Sequence, residues 1–150
     1  MGNRLSKSIF FSLMLLGYFQ ITAQSDDRFK TWKVLEGVTY EKSTDEYGEI
    51  YVPVFSKEIA ALEGKQVTLP GYIIPFEGMF KPEHLIISSL PIASCFFCGS
   101  GGPETVAEVE MKEAVRYTAK LVQVTGTLYL NDSDTNQLMY ILKNATLKTD

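Results

Sequence analysis

The sequence predicts a mainly β protein: a small five-stranded OB-like barrel, of the oligonucleotide/oligosaccharide-binding type, preceded by a hairpin and one short helix. The central part of the chain contains five short segments of strand composition, separated by turn residues. Gly71 and Gly126 interrupt two of these segments, at points where a strand can bend into a barrel. A barrel closes its own edges, which suits a small exported protein.

The first 23 residues have the anatomy of a secretory signal peptide. Arg4 and Lys7 form a basic start, an apolar run covers 9–19, and Ala23 supplies a small residue at the cleavage position. The apolar run is too short to cross a bilayer, which needs about 20 residues. We therefore predict cleavage near residue 23 and a periplasmic or secreted product with no membrane span.

The remaining chain is predicted to comprise a flexible leader over 24–31 and a single β-barrel domain over 32–150. About 127 residues remain after cleavage, a length typical of one domain. Their net charge is about −6, and no basic stripe with interleaved aromatics is present, which argues against a nucleic-acid partner. Because the expected compartment is oxidising, the two cysteines can form a disulfide there.

Two strand-like runs in front of the barrel predict a hairpin. The first covers 32–40 and the second 50–55, and the turn formers at 43–48 separate them. Pro53 cannot donate to a strand ladder, so the second strand should be short or lie at an edge.

Five aromatic side chains of this region could line a groove. At strand spacing, however, aromatic residues are more typical of a core or of cross-strand pairs. They are Trp32, Tyr40, Tyr47, Tyr51 and Phe55.

Ser56 is predicted to begin the short helix by capping the amide of Ile59, and Gly64 to end it. The five barrel strands are then predicted over 66–76, 84–90, 105–111, 120–130 and 138–147. A helix opened by Pro103 competes with the third strand, because Val106 and Val109 also suit one helical face.

The candidate site is the segment 94–104, which contains both cysteines, as Cys95-Phe96-Phe97-Cys98, and several glycines. Three interpretations stay open: a structural disulfide, a redox-active pair and a metal site. Two thiolates supply half of a tetrahedral site, and thiolates favour softer ions such as zinc or copper. His84, the only histidine, and Glu104 are the candidates to complete it.

Several blocks of the sequence resemble a family of short exported bacterial proteins, the domain of unknown function 3299. They are LEGKQVTLPGYIIP at 62–75, the Cys95–Cys98 motif followed by Gly-Pro-Glu at 102–104, and VTGTL at 124–128. The resemblance covers roughly residues 32–147. It implies an exported barrel of the oligonucleotide-binding type, with a strand at 105–111.

The same resemblance favours metal handling at Cys95 and Cys98, because some relatives are associated with it. Many relatives keep only the first cysteine, followed by a proline-rich run, so this chain departs from them at Cys98. The resemblance implies no catalytic residue.

The sequence therefore predicts an exported binding or accessory protein and not an enzyme. Its Cys95–Cys98 loop would hold zinc or copper, or an extracytoplasmic partner protein. The alternatives are a thiol-disulfide protein and an interaction module with an inert disulfide. A metal site requires several ligands that converge on the loop. A thiol-disulfide protein requires an exposed sulfur, and an inert disulfide requires a buried bond.

Overall fold

The computed structural model describes residues 27–75 and 83–149, and the predicted signal peptide at 1–23 lies outside them. The elements are α1 (Lys30–Leu35), β1 (Thr39–Asp45), β2 (Gly48–Val54), α2 (Lys57–Ala60), β3 (Gln66–Ile73), β4 (His84–Ser88), β5 (Val106–Met111), β6 (Val122–Leu130) and β7 (Tyr140–Thr149). None of the helices in these two ranges has the length and apolar character needed to span a membrane.

Strands β3 to β7 form a closed barrel in the order β3-β4-β5-β7-β6, and β6 returns to pair with β3. Every neighbouring pair is antiparallel except β5 and β7, which run parallel. The strands β1 and β2 form a separate two-stranded hairpin. The predicted fold class, a five-stranded OB-like barrel with an N-terminal hairpin, is confirmed.

Strand β6 shows the alternation of buried and partly exposed residues that fills the barrel interior. The buried residues are Val122, Val124, Gly126 and Leu128, while the residues that alternate with them, at 123, 125 and 127, are partly exposed. Strand β5 occupies the segment for which a helix had competed, and that helix survives only as one 3-10 turn, Pro103–Thr105. The prediction of a strand there is confirmed.

The segment before the hairpin is helical, and its assignment to the first hairpin strand was wrong. Trp32 and Leu35 lie three residues apart on one face of α1, and both are fully buried against the barrel. The Trp32 indole donates a hydrogen bond to the carbonyl oxygen of Pro70 at 2.6 Å. Of the predicted leader, residues 27–31 form a 3-10 turn and the start of α1, and Phe29 packs against the core.

Helix α2 is the short helix that the sequence predicts. The Ser56 hydroxyl accepts a hydrogen bond from the Ile59 amide at 3.3 Å, so the predicted cap is confirmed. Ile59 is fully buried, and the Gly64 amide donates to the carbonyl of Leu128 at 2.8 Å. The helix is therefore attached both to the core and to β6.

The barrel closes where β3 changes partner. Residues 66–71 pair with β6, whereas Tyr72 and Ile73 pair with β4. A Cβ atom on Gly71 would lie 2.8 Å from the carbonyl oxygen of Ser88, so the two backbones approach more closely than any side chain allows. The predicted bend at Gly126 coincides with a register shift between β6 and β7.

Replacing Gly71 with alanine should therefore weaken closure. The obstacle is a backbone carbonyl, which cannot move unless β3 and β4 separate. We expect Gly71→Ala to lower the free energy of unfolding by about 1–3 kcal/mol, measured by urea denaturation. The exposed control Thr146→Ala should change it by less than about 0.5 kcal/mol. Equal effects of the two substitutions would contradict this account.

Candidate functional site

The cysteine loop, residues 89–105, connects β4 to β5 and is fixed at its base. The Ser89 amide donates to the carbonyl of Thr105 at 2.9 Å, and the Thr105 hydroxyl donates to the carbonyl of Gly102 at 2.7 Å. Three 3-10 turns follow one another along the loop: Ile92–Ser94, Phe96–Cys98 and Pro103–Thr105. The loop is thus a series of hydrogen-bonded turns.

The two cysteines flank one of these turns. The Cys98 amide donates to the carbonyl of Cys95 at 3.0 Å, which brings the start and end of the Cys-x-x-Cys segment together. Their Sγ atoms are 3.2 Å apart and share a hydrogen bond. Cys95 is fully buried, whereas Cys98 is exposed. One sulfur therefore faces solvent, and the other lies behind it.

The glycine-rich segment closes onto this turn. A Cβ atom on Gly101 would lie 2.8 Å from the Thr105 hydroxyl and 3.1 Å from the Phe96 amide nitrogen. Only glycine fits such an approach without displacing its neighbours. The glycine therefore lets the end of the loop pack against the turn that contains both cysteines.

The environment of Cys98 favours the protonated thiol. The hydrogen bond with Cys95 is the main reason that the Cys98 pKa is raised above its ordinary value, and partial desolvation and the neighbouring Cys95 add to it. A redox-active cysteine usually shows the opposite shift, toward the thiolate. Cys98 is accessible but is not activated.

Glu104 contacts the hairpin. It lies in the last turn of the loop, and its carboxylate accepts a hydrogen bond from the Tyr40 hydroxyl at 3.1 Å. Burial, together with the Glu104 charge and this hydrogen bond, raises the pKa of Tyr40 well above its usual range. The pKa of Tyr140 is raised mainly by its own burial and then by Tyr40 and Glu104, and its hydroxyl donates to the carbonyl of Leu35 at 2.7 Å.

The candidate metal ligands do not form a complete site in the part of the chain that the structure describes. His84 is exposed at the start of β4, about 13 Å of extended strand from the other end of β4, where the cysteine loop begins. Across residues 27–75 and 83–149, no three side chains of the ligand types gather closely enough to hold an ion. Cys95 and Cys98 supply two of the four ligands of a tetrahedral site, so zinc or copper binding stays a prediction.

The contact between Glu104 and Tyr40 has no counterpart in the sequence analysis. The two residues are 64 positions apart, and the sequence predicts separate roles for them, Glu104 as a metal ligand and Tyr40 as an aromatic residue of a groove or core. Their only signal was chemical: Glu104 follows a turn-forming proline, and Tyr40 is an aromatic residue in a strand that is otherwise polar.

Comparison with known proteins gives one likeness to report. No family model matches the chain, and no curated protein matches it either. The chain is similar in structure to a domain of unknown function 3299 (DUF3299) family protein from Pseudomonas aeruginosa PAO1, with 18% sequence identity, a TM-score of 0.45, and coverage of 65% of this chain and 68% of that one. The family in that protein's description is the one whose sequence blocks this chain resembles. No residue role is transferred from that protein to this one.

The raised pKa of Cys98 predicts how its alkylation rate depends on pH. Iodoacetamide reacts with the thiolate, so the rate should rise with pH to a midpoint above the ordinary value of about 8.5. The substitution Cys95→Ala removes the main cause of the shift, so this variant should have a lower midpoint and faster alkylation at neutral pH. Mass spectrometry of the Cys98 peptide measures both rates. A midpoint below about 8 in the unsubstituted protein would contradict the account.

Proposed function

We propose that this protein is an exported binding or accessory protein, built on an OB-like barrel, whose Cys95–Cys98 pair acts as a dithiol–disulfide couple. The observation that supports the proposal is the 3.2 Å separation of the two Sγ atoms within one hydrogen-bonded turn. A disulfide has a sulfur separation of about 2.05 Å, so the bond needs only a small approach of the two side chains. The expected oxidising compartment would favour that bond.

The unequal exposure of the two sulfurs defines their order of reaction with a partner disulfide. Cys98, as the thiolate, attacks one sulfur of that disulfide, and the partner's other sulfur leaves as a thiol. Cys95, having given up its proton, then attacks the Cys98 sulfur of the mixed disulfide and releases the second partner thiol. The pair loses two electrons and two protons, and the partner disulfide gains them.

The raised pKa of Cys98 makes the first step slow at neutral pH, since little thiolate is present. A slow first step is expected of a pair that forms a lasting disulfide. It is not expected of a catalyst of rapid thiol–disulfide exchange. The bond would fix the turn next to Glu104 and thereby hold the end of the loop near the hairpin. In this proposal the protein binds its partner through the surface formed by the loop end and the hairpin, which the disulfide would keep ordered.

Metal handling through the same pair is the second candidate, and the exposure of Cys98 supports it. Two thiolates would bind zinc or copper, and a partner protein would have to supply further ligands. An oxidised pair cannot bind a metal in this way, because the ligand is the thiolate. The two candidates therefore exclude each other at any one moment.

Single-cysteine variants test the order of reaction, with oxidised glutathione as the probe. Cys95→Ser should retain glutathione on Cys98, since no second thiol remains to displace it. Cys98→Ser should react at least about tenfold more slowly, since Cys95 is buried. The unsubstituted protein should pass through the mixed form to an internal disulfide.

Intact mass spectrometry of quenched samples reads each species, and Ser100→Ala serves as a control that keeps both thiols. Far-ultraviolet circular dichroism verifies that the variants are folded. Equal reaction rates of Cys95→Ser and Cys98→Ser, or a mixed disulfide that persists in the unsubstituted protein, would refute the proposed couple.

A further inference from the structure

A groove of about 630 Å³ lies between the hairpin and the loop that joins β6 to β7. Residues 50–53 of β2 form one wall, and residues 131–135 and 137–139 form the other, with Tyr40 and Pro103 also in the lining. This volume falls within the range of about 300–1,000 Å³ that is typical of ligand sites. None of its residues belongs to the cysteine pair.

The groove follows an edge of β2 along residues 50–53, and it also reaches the face of the hairpin at Tyr40, the β1 partner of Pro53. Successive side chains of a strand point to opposite faces, yet all four residues from 50 to 53 line the groove. One edge of β2 pairs with β1, and within the described residues β2 has no other partner strand. The groove therefore follows the unpaired edge.

That edge has a backbone amide available for hydrogen bonding. Pro53 has no N–H, so its pair with Tyr40 is a non-hydrogen-bonded pair of the ladder. Because such pairs alternate, the N–H and C=O groups of Tyr51, two residues earlier, also point away from β1. The Tyr51 side chain is 70% exposed, an unusual state for a large aromatic residue.

The wall opposite β2 is acidic and ordered. Asp132 and Asp134 both line the groove and are exposed. Asn131 holds their loop: its side-chain oxygen accepts from the amides of Ser133 and Asp134, and its side-chain nitrogen donates to the carbonyls of Asp134 and Gln137. The Asp134 carboxylate also accepts hydrogen bonds from the amide and the side chain of Asn136. Two carboxylates on this ordered loop, beside an apolar wall, complement a chain with both cationic and apolar side chains.

We propose that this groove binds an extended peptide segment of a partner protein, added as a strand to the free edge of β2. The segment would carry alternating apolar side chains and at least one lysine or arginine facing Asp132 and Asp134. Main-chain hydrogen bonds at Tyr51 would provide affinity, and the acidic wall would provide selectivity. Neither Cys95 nor Cys98 lines this site.

The test is a titration of the mature ¹⁵N-labelled protein with an acetylated, amidated peptide of alternating lysine and valine residues, followed by NMR. Binding should shift the amide signals of Tyr51 and Asp132 and slow hydrogen exchange at the Tyr51 amide. Two further probes carry N-methyl groups on every second amide, which removes those N–H donors. Because alternate amides of an extended peptide point to opposite edges, one probe blocks one edge and the second probe blocks the other. One of them should bind at least about tenfold more weakly and the other within about twofold, since an added strand uses one edge only.

Variants separate the contributions. Tyr51→Ala and Tyr51→Pro both remove the ring, but only the proline removes the edge amide, so Tyr51→Pro should bind the lysine–valine peptide at least about threefold more weakly than Tyr51→Ala. Asp132→Asn should weaken binding about two- to fivefold, and the exposed control Glu113→Gln should leave it unchanged. Cys95→Ser/Cys98→Ser should bind as the unsubstituted protein does.

Several results would overturn the proposal. Equal binding of both methylated probes would show that no edge of the peptide uses its main-chain amides. Binding would then depend on side chains alone, and the groove would suit an apolar small molecule equally well. A lack of shifts at about 1 mM peptide would exclude strand addition of useful affinity. Sedimentation that shows a concentration-dependent dimer, lost in Tyr51→Pro, would assign the edge to a second copy of the chain.

Discussion

The close contact of β3 with β4 at Gly71 is the constraint on which the architecture depends. There β3 leaves β6 and joins β4, and no side chain fits between Gly71 and the Ser88 carbonyl. Ser88 is also the last residue of β4, and the cysteine loop begins directly after it. The buried Trp32 indole donates a hydrogen bond to the carbonyl of Pro70, the residue before Gly71. The barrel therefore closes at the residue that directly precedes the cysteine loop.

The end of the cysteine loop connects two features that are separate in sequence. Gly101 packs against the turn that contains both cysteines, while Glu104 accepts a hydrogen bond from Tyr40 of the hairpin. Pro103 lies between them and lines the groove beside β2. A covalent bond between Cys95 and Cys98 would stiffen this connection, because it would fix the turn against which the segment rests.

Most barrel strands could be predicted because their side chains alternate over many residues. Strand β6 is the clearest case, with Val122, Val124 and Leu128 facing inward. Helix α1 could not be predicted in this way, since six residues span fewer than two turns and their apolar residues also fit a strand. Its state is decided by burial of Trp32 and Leu35 against the barrel, which is a tertiary effect.

Within the candidate site, the closeness of Cys95 and Cys98 followed from their spacing, because three residues span one turn. The other predicted ligands depended on contacts between distant parts of the chain. The strand direction of β4 carries His84 away from the loop, and the hairpin engages Glu104. Neither arrangement has a local signal in the sequence. The exposure difference between the two sulfurs also arises from packing and not from the motif.

The most direct test is the intact mass of the protein isolated from the cells that naturally produce it, alkylated before and after reduction. The proposed couple predicts a chain two hydrogens lighter than the dithiol, with no alkyl group added before reduction and two added after it. Two alkyl groups added without reduction, or a zinc or copper ion that is lost in Cys95→Ser/Cys98→Ser, would contradict the disulfide and favour a thiolate site.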